Sequence, residues 1–101
     1  MHTNKNTVTK KLSLKAITAK VMKFLKKEGF HLGNQIEKTE ILPGAKKLRI
    51  TLRRHGGLSL LMINLNILDY FEKSGFDCAK SAASDANVLI DLESFQAQLP
   101  L

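Results

Sequence analysis

The chain has 101 residues, 44% of them hydrophobic and 25% charged, with a net charge of +7 and one cysteine, Cys78. That length suits one domain with one core, and the composition is that of an ordinary globular chain able to bury enough apolar surface to fold unaided. A lone cysteine excludes an internal disulfide, no Cys/His spacing builds a zinc site, and the longest uncharged run, Gly56 to Leu68, falls short of the roughly 20 apolar residues of a membrane span.

The charge is unevenly placed. Residues 1–57 carry 14 Lys/Arg against Glu28, Glu37 and Glu40, whereas residues 58–101 carry Lys73 and Lys80 against six acids. Such two-sidedness bears on partners rather than on fold. The first 11 residues are polar and lysine-bearing with no apolar stretch behind them, so they read as a basic, flexible arm rather than a secretory signal, ahead of a single domain at 12–101. A cytoplasmic location fits the absence of a leader and of paired cysteines.

Leu14, Ile17, Val21, Phe24 and Leu25 recur at helical spacing and predict a first helix over 13–28. Ser13 is its N-cap, Leu12 and Ile17 are placed as a hydrophobic staple, and Gly29 ends it. The opposite side carries Lys15, Lys20, Lys23, Lys26 and Lys27 with Ala16 and Ala19 between them, a nearly pure lysine surface.

Residues 35–53 read as a β-hairpin turning at Pro43-Gly44-Ala45. Its second strand alternates Leu48, Ile50 and Leu52 with Arg49, Thr51 and Arg53. Leu58 to Leu65 is too uniformly apolar for periodicity to decide and is taken as a third strand. The reason is Asn66, which would cap a helix over Ile67 to Ser74 ending at Gly75. Asp77–Ser81 and Asn87–Leu92 then form a second hairpin around Ser84-Asp85-Ala86-Asn87, with a helical turn in the tail.

The expected architecture is an α+β two-layer sandwich, an antiparallel sheet with two main helices in the order α-β-β-β-α-β-β. Its first five elements have the order of double-stranded-RNA-binding folds. The sequence also echoes itself: Phe24-Leu25-Lys26-Lys27-Glu28-Gly29-Phe30 returns as Tyr70-Phe71-Glu72-Lys73-Ser74-Gly75-Phe76. The bland account is a common way of ending a helix on glycine. The sharper one is a duplicated α-β-β unit.

The lysine-faced helix and the arginine-bearing hairpin together point to phosphate-backbone binding of DNA or RNA, because affinity for phosphates grows with the number of Lys/Arg that displace counterions. The candidate residues are Lys15, Lys20, Lys23, Lys26, Lys27, Lys47, Arg49, Arg53 and Arg54. With aromatics at 6% and no tryptophan, a base-stacking platform is not indicated. Set against this are a solvated lysine face without a ligand and a non-enzymatic protein-interaction module or homo-oligomer, assembling through an edge strand or through contact between its basic and acidic halves.

A ribonuclease centred on His55, beside Arg54 on a glycine-bearing loop, is a third reading. The stretch Phe24–Phe30, the Arg53-Arg54-His55-Gly56-Gly57 segment and the helix closing on Ser74-Gly75-Phe76 faintly resemble HicA-type ribonuclease toxins over about half the chain. The Gly-x-His that the resemblance calls for would fall near Gly33-Asn34-Gln35, which has no histidine, so no catalytic role is carried over from it. No cofactor, metal ligand set or phosphate loop is indicated, and Cys78 reads as a buried structural thiol.

Overall fold

The computed structural model describes residues 12–54 and 59–96. The expected N-terminal arm, His55 and the end of the tail lie outside the described residues. Within them are α1 (Leu14–Lys27), β1 (Ile36–Leu42), β2 (Lys47–Leu52), α2 (Leu60–Lys73), β3 (Ala82–Ala83), β4 (Val88–Asp91) and α3 (Leu92–Gln96). The four strands form one antiparallel sheet in the order β1-β2-β4-β3. The α+β class is as expected.

One element changes type and another shifts along the chain. The stretch expected as a third strand is instead helical from Leu60, so the order is α-β-β-α-β-β-α and the likeness to the double-stranded-RNA-binding order disappears. Ser59, not Asn66, caps α2: its Oγ accepts from the Met62 N–H at 3.4 Å, as Ser13 Oγ accepts from the Ala16 N–H at 3.1 Å in α1. The expected strand at Asp77–Ser81 falls one step later, at Ala82–Ala83, because the Asp77 carboxylate accepts the Ala79 N–H and Ser81 N–H donates to the Cys78 carbonyl, closing turns there.

With α2 in place, the echo near the helix ends extends through both helices at a separation of 46 residues. α1 and α2 have 14 residues each, and Ser13, Leu14, Ile17, Lys27, Gly29 and Phe30 recur as Ser59, Leu60, Ile63, Lys73, Gly75 and Phe76. Both helices close in the same way. Phe30 N–H donates to Leu25 O and Gly29 N–H to Lys26 O, while Phe76 N–H donates to Phe71 O and Gly75 N–H to Glu72 O. These are Schellman closures, and their left-handed residues, Gly29 at φ 92° and Gly75 at φ 100°, are positions where a side chain would be strained.

The sheet obeys the same symmetry. The order β1-β2-β4-β3 sets the second strands of the two halves, β2 and β4, side by side at the centre with Leu48 paired to Ile90 and Ile50 to Val88, and leaves their first strands at the two edges. The fold is therefore two α-β-β units related by a pseudo-two-fold through the β2–β4 seam, the first with a long hairpin and the second with a short one.

One apolar cluster joins the halves. Leu48, Ile50, Leu52, Val88 and Ile90 form the inner face of the sheet, covered by Ile17, Val21 and Leu25 of α1, Ile67 and Phe71 of α2, and Leu92 and Phe95 of α3. Between the helices, Phe24, Tyr70, Phe71, Phe76 and Phe95 interlock with ring centroids 4.5–5.9 Å apart. The Tyr70 hydroxyl donates to the Phe24 carbonyl at 3.2 Å, and burial, reinforced by the Glu28 charge, raises its pKa.

Candidate nucleic-acid interface

Because Ile17, Val21 and Leu25 pack on the sheet, helical geometry turns Lys15, Lys23, Lys26 and Lys27 outward, and all four are exposed; Lys20 is half-buried. Among the described residues no acid pairs with Lys15, Lys23 or Lys26. Lys27 Nζ lies 5.6 Å from the centre of the Phe24 ring, a cation–π contact that holds the charge on the helix surface without neutralising it.

The predicted residues do not form one surface. Lys47 and Arg49 alternate with buried Leu48 and Ile50, so they stand on the open face of the sheet, away from the helix layer. Both are engaged by carboxylates. Arg49 donates through Nε and Nη2 to Glu40 Oε1, 3.1 Å in each case, across the Glu40–Arg49 pair of the β1–β2 ladder. Glu40 also lies 3.7 Å from Lys38 Nζ. Lys47 Nζ reaches Asp91 Oδ1 at 3.3 Å and the Lys80 carbonyl at 2.8 Å.

Asp91 is a linchpin of this open face. Its Oδ2 accepts from the Ser94 hydroxyl at 2.5 Å and the Ser94 N–H at 3.2 Å, capping α3, while Oδ1 faces Lys47. Burial pushes its pKa up, but the Ser94 hydrogen bonds and the Lys47 ammonium outweigh that and hold the carboxyl below the usual aspartate value.

Arg53 and Arg54 follow β2 and are exposed. Arg53 N–H donates to the Gln35 carbonyl at 2.9 Å, which ties this end of the hairpin to the loop that leaves α1 after Phe30. Between them lies a concavity of about 430 Å³ lined by Phe30, Gly33, Asn34, Gln35, Leu52, Arg53 and Ile63. Arg53 thus lines the same concavity as Phe30, the residue that closes α1, while Lys47 and Arg49 stand on the open face of the sheet.

His31 is exposed, and its backbone N–H donates to the Gln35 side-chain oxygen at 3.1 Å. Cys78 is half-buried with Sγ 3.8 Å from the Leu68 carbonyl, and burial, then the Glu72 and Asp77 charges, raise its pKa, the reverse of an activated thiol. Among the described residues no group of three His, Cys, Asp or Glu side chains is placed to hold a metal ion, and no helix is long and apolar enough to cross a membrane.

Comparison of the chain with protein-family models, with curated proteins and with solved structures finds no match.

Proposed function

We propose that the protein binds nucleic acid through its phosphate backbone, using Lys15, Lys23, Lys26 and Lys27 of α1 with Arg53 and Arg54 at the end of β2. The observation that supports this reading best is the outer face of α1. Four exposed lysines share one helix with no acid among its 14 residues, and three of them have no acidic partner among the described residues. Such a face repels itself and draws a polyanion, whose condensed counterions are released on binding. Recognition is by backbone and shape, since the aromatic rings are spent in the core. Lys47 and Arg49, each already held by a carboxylate, add little.

Fluorescence anisotropy of short labelled duplex DNA, duplex RNA and single-stranded RNA across a salt series tests the reading. Binding should weaken linearly on logarithmic axes as salt rises, and Lys23→Glu with Lys26→Glu should lower affinity at least about tenfold and flatten the slope. Absence of binding at low salt, or binding indifferent to that double reversal, refutes it.

A further inference from the structure

The concavity beside the end of α1 takes its shape from the turn that follows the helix. The His31 carbonyl accepts from the N–H groups of Asn34 and Ile36 at 3.0 and 3.1 Å, Gly33 N–H donates to the Ile36 carbonyl at 2.8 Å, and Gln35 Oε1 accepts the His31 N–H. Gly33 at φ 91° supplies the left-handed residue that lets this turn close. One wall is therefore hydrogen-bonded into place before any ligand arrives. The floor is apolar, with Leu52 buried and Phe30 and Ile63 half-buried. Among the described residues Arg53 is the one charged side chain on the lining, and no acid pairs with it.

The pseudo-symmetry shows what such a space holds. Phe30 and Ile63 correspond to Phe76 and Ile17 of the other half. There the chain passes from β4 straight into α3, which packs on α1 and lays the Phe95 ring against Phe76 with centroids 4.5 Å apart. In the first half β2 leads into Arg53 and Arg54 instead, and Phe30 meets no other ring among the described residues. The open concavity is the counterpart of a seat that the second half fills with a ring. Its volume of about 430 Å³ lies within the range of small-molecule sites, which combine an apolar body with a few convergent polar groups.

We infer that this concavity binds a small ring-bearing organic anion, the ring against Phe30, Leu52 and Ile63 and its carboxylate or phosphate on the Arg53 guanidinium. The planar fork of arginine matches either group. A cation would meet Arg53 as a like charge, and an anion without a ring would leave the apolar floor uncovered. The site shares Arg53 with the proposed nucleic-acid surface but does not use the lysines of α1, so it stands whether or not those lysines bind a polyanion.

Two-dimensional amide NMR of the full chain, titrated with phenylpropionate at neutral pH, reads the site. Saturable shifts should centre on Gly33, Asn34, Arg53 and Ile63 with a Kd on the order of 1 mM, as befits a ligand of about a dozen heavy atoms. Acetate, which lacks the ring, and phenethylamine, which inverts the charge, should show no saturation at about ten times that concentration. Arg53→Gln should weaken binding at least about threefold, and Ile63→Phe, which adds a ring to the floor, should abolish it. Circular dichroism checks that both variants fold; should Ile63→Phe not fold, Arg53→Gln decides alone. Lys23→Glu with Lys26→Glu, which removes the proposed nucleic-acid binding, should leave phenylpropionate affinity within about twofold. The inference is overturned by absence of saturable binding, by equal binding of the amine, or by binding indifferent to Arg53→Gln. Nuclear Overhauser contacts that put side chains of residues 55–58 inside the concavity against Phe30 in the free protein overturn it as well.

Discussion

α1 and α2 are the same helix twice on the inside and two different helices on the outside. Ile17, Val21 and Leu25 face the core as Ile63, Ile67 and Phe71 do, and both helices start on a serine cap and close through a glycine into phenylalanine. Outward, Lys15, Ala19, Lys23 and Lys26 of the first correspond to Leu61, Leu65, Asp69 and Glu72 of the second. The inner positions and the caps are what the sheet and the pseudo-two-fold demand. The outer positions are free of that demand, and they have diverged into a cationic face and one that runs from apolar to a mixed end where Lys73 pairs with Asp69 at 2.9 Å.

The largest expected effects test the shared interior. Leu25→Ala and Phe71→Ala remove equivalent, fully buried side chains, and each should cost about 3–5 kcal/mol in urea unfolding through lost burial and the cavity left behind. Phe71 also sits among four aromatic rings, so its loss should be the larger. If one of the two were tolerated at under about 1 kcal/mol, the halves would not share the core equally, and the comparison of helices would fail at its base.

The same divergence explains what was legible in the sequence. α1 could be read from its residues because its outside is lysine and its inside aliphatic, giving a clean helical period. α2 could not be read that way over Leu58–Leu65, since its outer Leu61, Met62 and Leu65 fill the positions where polar residues would have revealed the period. Ser59 and Asn66 are both good caps, and propensity alone does not choose between them. The deciding signal was present: Leu58-Ser59-Leu60 repeats Leu12-Ser13-Leu14 at the same 46-residue distance as the two Gly-Phe helix ends.

For the candidate site, the lysine face was visible as periodicity. The neutralisation of Arg49 by Glu40 follows from a hairpin register and was within reach of the sequence. That of Lys47 by Asp91 was not, because it depends on β4 coming to lie beside β2 from more than 40 residues away.

A middle-sized effect sharpens the contrast between helices at one pair of equivalent positions. Thr18 of α1 corresponds to Asn64 of α2, but Thr18 Oγ1 only donates back to the Leu14 carbonyl of its own helix at 2.8 Å. Asn64 is fully buried, its Nδ2 donates to the Ser84 carbonyl at 2.7 Å, and its Oδ1 has no partner among the described residues. Asn64 thus ties α2 to the turn of the short hairpin, a tie that α1 does not need because β1 and β2 form a longer ladder. Asn64→Ala should cost about 1–3 kcal/mol by stranding the Ser84 carbonyl, whereas Thr18→Ala should stay within about 0.5 kcal/mol. Equal costs would mean that the short hairpin is held by its strands alone.

The smallest effect concerns the seam between the halves, where Lys47 of the first unit meets Asp91 of the second. Its carboxyl titrates below the usual aspartate value in the folded protein, so between the folded and unfolded pKa values the unfolded chain binds more protons. The stabilisation is therefore complete above the ordinary aspartate pKa of about 3.9 and is lost as pH falls through the lower, folded value. Asp91→Asn keeps a side chain able to cap α3 but removes the charge that Lys47 and Ser94 hold. The difference in urea midpoint between wild type and Asp91→Asn should be constant from neutral pH down to about 4 and shrink below it. A difference that does not change with pH would show that Asp91 acts there through its shape and hydrogen bonds alone, and that the two halves are joined at the seam by apolar packing and backbone pairing without an ionic contribution.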